Sequence, residues 1–233
     1  SVNRGKESLV VDLKSPRGAE VVRALARKAD VVVENFKVGD LARYGLDYGS
    51  VVKENPRAVY VSITGYGQTG PRAGEAGHDG AMQAFSGLMA SMGEPDGAPV
   101  KLSVAWIDVL TGVHAAVGAL AALRRRDETG EGVHLDVSLF DVALASMVNQ
   151  AQNTLLTGEP PVKLGSAHPT IVPYQAFQTA DGAVVLAVGN DGQFARLCSV
   201  LDREHLAAGE FATNDGRVAG RQRLIPELQA RVR

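Results

Sequence analysis

Three short apolar runs separated by helical stretches open the chain and set its architecture: 8–13 (SLVVDL), 31–35 (VVVEN) and 58–64 (AVYVSIT). All three are rich in β-branched residues, which favour strands, and the last two are continuous enough for strands buried on both faces. Between the first two, Ser15-Pro16 supplies a helix start with proline at the first helical position. GAEVVRALARKAD then carries its apolar residues at helical spacing. Asp47 stands where it would cap a second helix, LDYGSVVKEN. Strand, helix, strand, helix, strand at this spacing predicts a parallel sheet covered by helices, an α/β fold. Glycine and proline dominate from Thr64 to Gly77, which predicts a long loop at the carboxyl ends of the strands, the edge where open α/β sheets bind ligands.

Further on, the pattern predicts helices over 79–91 and 108–125, a turn through DETGEG, a strand VHLDVS and a long helix over 139–156. TGEPPVKLGSAHP reads as a connection by composition. Beyond it, two apolar runs joined by Ala180-Asp181-Gly182 predict a hairpin, followed by the helix QFARLCSVL and another over 217–231. The expected organisation is a large Rossmann-like domain over 1–157, a linker over 158–172 and part of a smaller α+β domain over 173–233. The chain starts almost on a strand and stops inside a helix, so both ends read as cut.

Composition narrows the function classes. With 24 basic and 26 acidic residues the net charge is −2, so no global field attracts nucleic acid or an anionic membrane, and an anionic ligand must be held by local groups. No uninterrupted apolar run reaches the roughly 20 residues of a membrane span. A single cysteine, Cys198, excludes an internal disulfide framework and reads as a small apolar residue of a helix. A soluble cytoplasmic protein is expected, or one of the mitochondrial matrix if a transit segment has been removed. Five scattered histidines without H-x-x-x-H or C-x-x-C spacing give no metal site. G-x-S-x-G, the mark of many serine hydrolases, is also absent.

GYGQTG, residues 65–70, matches the dinucleotide fingerprint G-x-G-x-x-G and follows a strand. That motif works only where a helix starts at once behind it. Here Pro71, Arg72, Ala73 and Gly74 follow, so the glycines shape a loop. Asp108 is one acid in an otherwise apolar passage, SVAWIDVLTGVH. An aspartate there caps a helix; it is also kept ionised by the helix dipole and can attack an activated acyl group. The two readings are compatible. His78 ends the glycine-rich loop, as a helix-start residue or a functional one. Asn35, Phe36 and Arg43 follow the second strand on the ligand side, where an aromatic ring could stack a base and an arginine could pair phosphate. Arg124, Arg125 and Arg126 read as a solvated helix end.

Taken together, NRGKESLVVDLKSPRG, ADVVVENFKVGDLARYGLDY, SITGYGQTGP, AGHDGAMQAFSGLM, VAWIDVLTGVHAAVGALAAL and TGEGVHLDVSLFD resemble the class III (CaiB/BaiF) coenzyme A transferases, in that family's order and over nearly the whole chain. The resemblance implies a Rossmann-like large domain plus a small domain, in two chains interlocked as a homodimer. It implies an enzyme with no permanently bound cofactor, acting on an acyl-CoA and a small carboxylic acid. Asp108 falls on the catalytic aspartate, which carries acyl groups and coenzyme A in turn. Asn35, Phe36, Arg43 and Lys14 match positions lining the coenzyme A site. Gly165, Ser166, Ala167 and His168 match a flexible glycine run over the intermediates, of which this sequence keeps one glycine. GSAHPTIVPYQAFQTADG looks most like the succinyl-CoA:glutarate branch, which handles dicarboxylic acids. The alternative within the family is a 2-methylacyl-CoA racemase with His78 and Asp108 as its acid–base pair. Against that, Gly80-Ala81-Met82-Gln83 follows GHD as it does in the transferases.

Overall fold

A computed structural model describes residues 2–232. The chain divides into two compact units, 1–89 with 101–161, and 90–100 with 162–233. The second unit thus also takes up 90–100, a stretch that the sequence reading kept with the first.

In the first unit the elements run α1 (Pro16–Ala26), β1 (Val31–Glu34), α2 (Tyr48–Glu54), β2 (Val59–Thr64) and α3 (Asp79–Phe85). α4 (Leu88–Ser91) straddles the division. Back in the first unit follow α5 (Trp106–Thr129), β3 (Val133–Ser138), α6 (Leu139–Ser146) and α7 (Val148–Thr157). The three strands form one parallel sheet in the order β1-β2-β3, with Val31 opposite Val59 and Val59 opposite Val133. The expected α/β sheet with covering helices is present. Val59 and Val61 are fully buried against Ala115 and Ala122 of α5, small residues that let the helix lie close to the strands. By length and composition α5 is the one described helix that could cross a bilayer, yet its alanine side packs on the sheet. The other sheet face packs Tyr60 with Ala26 of α1 and Val51 of α2.

Four expectations are corrected. The helix expected over 79–91 stops at Phe85 and resumes at Leu88, with Gly87 in the left-handed region at φ 87°, and the one expected over 217–231 is interrupted at Gly220. Residues 8–13 form no strand; Leu9 is 62% and Val10 97% exposed. A strand needs a neighbour to satisfy its amides, and among the described residues none pairs with this segment. The long helix expected over 139–156 is broken at Met147 into α6 and α7, because Val148, at the head of α7, takes a positive φ of 43° that a continuous right-handed helix does not allow.

The second unit holds β4 (Tyr174–Gln178), β5 (Ala183–Ala187), α8 (Asp191–Val200), α9 (Asn214–Ala219) and α10 (Arg221–Val232). β4 and β5 make the expected antiparallel hairpin, Gln178 opposite Ala183. Its turn is closed by the amide of Thr179 donating to the carbonyl of Gly182 at 2.9 Å. Cys198 is buried in the core of this unit beside Phe177, Phe194, Leu224 and Leu228, as its apolar reading predicts.

Candidate functional site

At the carboxyl end of β2 the chain leaves the sheet through Thr64 and Gly65, and it returns through Gly77 to His78. Gly65 and Gly77 meet backbone to backbone: a Cβ on Gly65 would lie 2.6 Å from the Gly77 Cα. Only two residues without side chains permit that approach. Gly65 is held from a second side as its carbonyl accepts from the Phe140 amide at 3.0 Å. The loop between is tied down by the Gln68 amide donating to Asp136 at 2.8 Å and by the rings of Tyr66, Phe85 and Phe140. No helix begins until Asp79, so the glycines build a loop and not a pyrophosphate cradle.

This geometry gathers part of the predicted set. Asn35, Phe36 and His78, with Thr64, Gly65 and Gly77, line one cleft of about 210 Å³ at the sheet's carboxyl edge. Asn35 is fixed by its amide donating to the Ile63 carbonyl at 2.6 Å. Phe36 is 47% exposed, and an exposed aromatic residue there could stack a base. A larger cleft of about 310 Å³ lies under Tyr48, Ser62, Gln68 and His134, and a strongly apolar one runs along β1 and α1. Arg43 lines none of these; it pairs with Asp40 at 3.7 Å and lies over the Tyr44 ring. Lys14 sits exposed in the turn before α1, its amide donating to Asp12 at 2.9 Å. Gly165, Ser166, Ala167 and His168 belong to the second unit, docked on its hairpin: the Ser166 hydroxyl accepts from the Ala176 amide at 3.0 Å, and the His168 ring stacks on Tyr174. Among the described residues no group of three or more metal-ligating side chains gathers.

Asp108 lies in the first turn of α5 but does not cap it. The helix starts at Trp106 after Ala105, and the caps come from another element. Asp79, nearly buried at the start of α3, accepts from the amides of Ile107 at 2.8 Å and Asp108 at 3.2 Å. Its other oxygen accepts from the Gln83 side chain at 2.6 Å. The Gln83 carbonyl oxygen in turn accepts from the Leu102 amide at 2.9 Å. The Asp108 carboxylate accepts no hydrogen bond among the described residues and the residue is exposed. Its pKa is nonetheless pushed up, first by partial burial of the carboxyl group and second by the negative charge of Asp79, with His78 opposing. Neither Asp79 nor Gln83 stood out in the sequence; the only signal was an acid beside His78 with a glutamine four residues on.

The chain is 52% identical to "Succinate--glutarate CoA-transferase" of Agrobacterium fabrum, over 94% of this chain and 55% of that protein. It is 43% identical to the mouse "Succinyl-CoA:glutarate CoA-transferase", over 99% of this chain and 53% of the relative. It thus spans about half the length of these relatives. A crystal structure of a CAIB/BAIF family protein from Brucella suis superposes with a TM-score of 0.79 at 45% identity, covering 98% of this chain and 61% of that one. The family model for CoA-transferase family III matches residues 1–233, and the chain belongs to that family.

Proposed function

We propose that the protein moves coenzyme A from a dicarboxylic acyl-CoA, of the succinyl-CoA kind, to a second small carboxylic acid, with Asp108 as the covalent carrier. The observation that carries this reading is a carboxylate in a helix's first turn that the fold leaves without a structural bond, because Asp79 does the capping. The names of the relatives support the substrate class. An Asp108 oxygen attacks the thioester carbonyl carbon and the C–S bond breaks, giving an aspartyl anhydride and coenzyme A thiolate. The thiolate attacks the Asp108 carbonyl, releasing the donor acid and leaving an aspartyl thioester. The acceptor carboxylate attacks this thioester, forming a second anhydride and freeing the thiolate again. Attack by the thiolate on the acceptor's carbonyl yields the new acyl-CoA and restores the Asp108 carboxylate. Asn35 and Phe36, on the cleft beside His78, are assigned to coenzyme A, and the working protein is a cytoplasmic homodimer.

Mixing the complete protein with succinyl-CoA, quenching with hydroxylamine and mapping peptides by mass spectrometry tests the carrier. A hydroxamate at position 108 is expected; an unmodified peptide during demonstrated turnover overturns it. The pH profile gives a second check. The nucleophile is the anion, so activity is present above the Asp108 pKa and lost as pH falls through it. Because that pKa is raised, the acid limb of kcat/KM is expected above that of an ordinary aspartate.

A further inference from the structure

We propose that Asp79 and Gln83 form a positioning clamp that holds the first turn of α5 by its backbone, so that the Asp108 side chain has no structural work and stays available to substrate. The proposal rests on the reading of Asp108 as nucleophile and adds what fixes it in place. A helix starts with amides that lack partners, and an aspartate in the first turn is well suited to satisfy one of them with its own carboxylate. Such a bond would draw Asp108 back onto the backbone. Here the Ile107 and Asp108 amides both donate to Asp79 instead. Gln83, fully buried, locks the other Asp79 oxygen and also accepts from the amide of Leu102. One pair of side chains from α3 therefore fixes both the approach to α5 and its first amides.

The groups acting on Asp108 electrostatically are Asp79 and His78, of opposite effect. Lys101, on the segment leading into α5, donates to the Leu102 carbonyl at 2.6 Å. The clamp therefore sets the charge beside Asp108 as well as its position, and the two effects can be measured apart.

The test uses the complete protein. In the unaltered form, amide exchange at Ile107 and Asp108 is expected to be as slow as at Val109, whose amide is bonded inside the helix; free exchange at the two positions overturns the clamp. Asp79→Asn keeps an oxygen for the amides, removes the charge and sets two amide NH₂ groups against each other at Gln83. The Asp108 carboxyl, followed by ¹³C NMR, is then expected to titrate lower than in the parent. kcat should fall about ten- to a hundredfold with KM little changed. Adding Gln83→Glu restores the match of donor and acceptor and is expected to recover most of kcat. An unchanged Asp108 titration in Asp79→Asn, or no recovery in the double variant, overturns the proposal. Should either variant fail to fold, the exchange measurement decides alone. Exchange and titration do not depend on turnover, so a failed hydroxylamine trap with both intact removes the nucleophile reading and leaves the clamp.

Discussion

Around Phe177, Phe194, Leu224 and Leu228 the second unit gathers one continuous core, whereas the first unit divides its buried side chains among separate clusters on the two faces of the sheet and under α3. The second unit even buries a cation completely. Arg217 is inaccessible to solvent, donates to the carbonyls of Val172, Phe211 and Ala212 and to Asp191, and lies over the Phe194 ring. Each nitrogen of that guanidinium donates at least one hydrogen bond, which is what makes its burial tolerable. The first unit does the reverse. It leaves Val109, Val113, Val117 and Leu120 exposed along α5, and in the first turn of that helix it keeps the Asp108 carboxylate without a partner among the described residues. One unit commits its polar groups to cohesion; the other leaves one without a bonding partner among the described residues.

That contrast can be broken or sharpened by three substitutions. The largest effect is expected from Asp108→Ala, which should lower turnover by at least about 10³-fold while leaving Tm unchanged, since the carboxylate holds nothing. A large fall in Tm would show that the residue is structural after all. Next, Arg217→Met should destabilise the protein by about 3–5 kcal/mol in urea unfolding, because several carbonyls lose their donor together; a loss below about 1 kcal/mol would mean that the second unit does not depend on its buried cation. The smallest is Gly65→Ala, where the new methyl meets the Gly77 backbone. A cost of about 1–3 kcal/mol and weaker binding of coenzyme A, read by calorimetry, are expected together.

Much of the scaffold was legible because its signals are local. The valine-rich runs of β1 and β2, the glycines around Gly65 and Gly67, and the Ala180-Asp181-Gly182 turn each report on their own neighbourhood. Residues 8–13 misled for the same reason: β propensity is present there, but pairing depends on a partner that propensity does not reveal. Val148 breaks a helix that the apolar pattern runs straight through. Asp108 was legible as an acid at a helix start. Which acid would cap that helix was not, since the amides of Ile107 and Asp108 look to a residue far back in the chain, and no periodicity encodes that meeting. Arg43 and Lys14 show the converse limit, as a resemblance assigns a position without the contacts around it.

The meeting of Gly65 with Gly77 also bears on how this part of the molecule can change. Two glycines clasp the neck of the excursion between them, so the stretch around Gly70 and Gly74, where an added Cβ would touch nothing, can lengthen or shorten without moving His78 and Asp79. Variation at that tip can alter what reaches the cleft, while the residues at the neck keep their address.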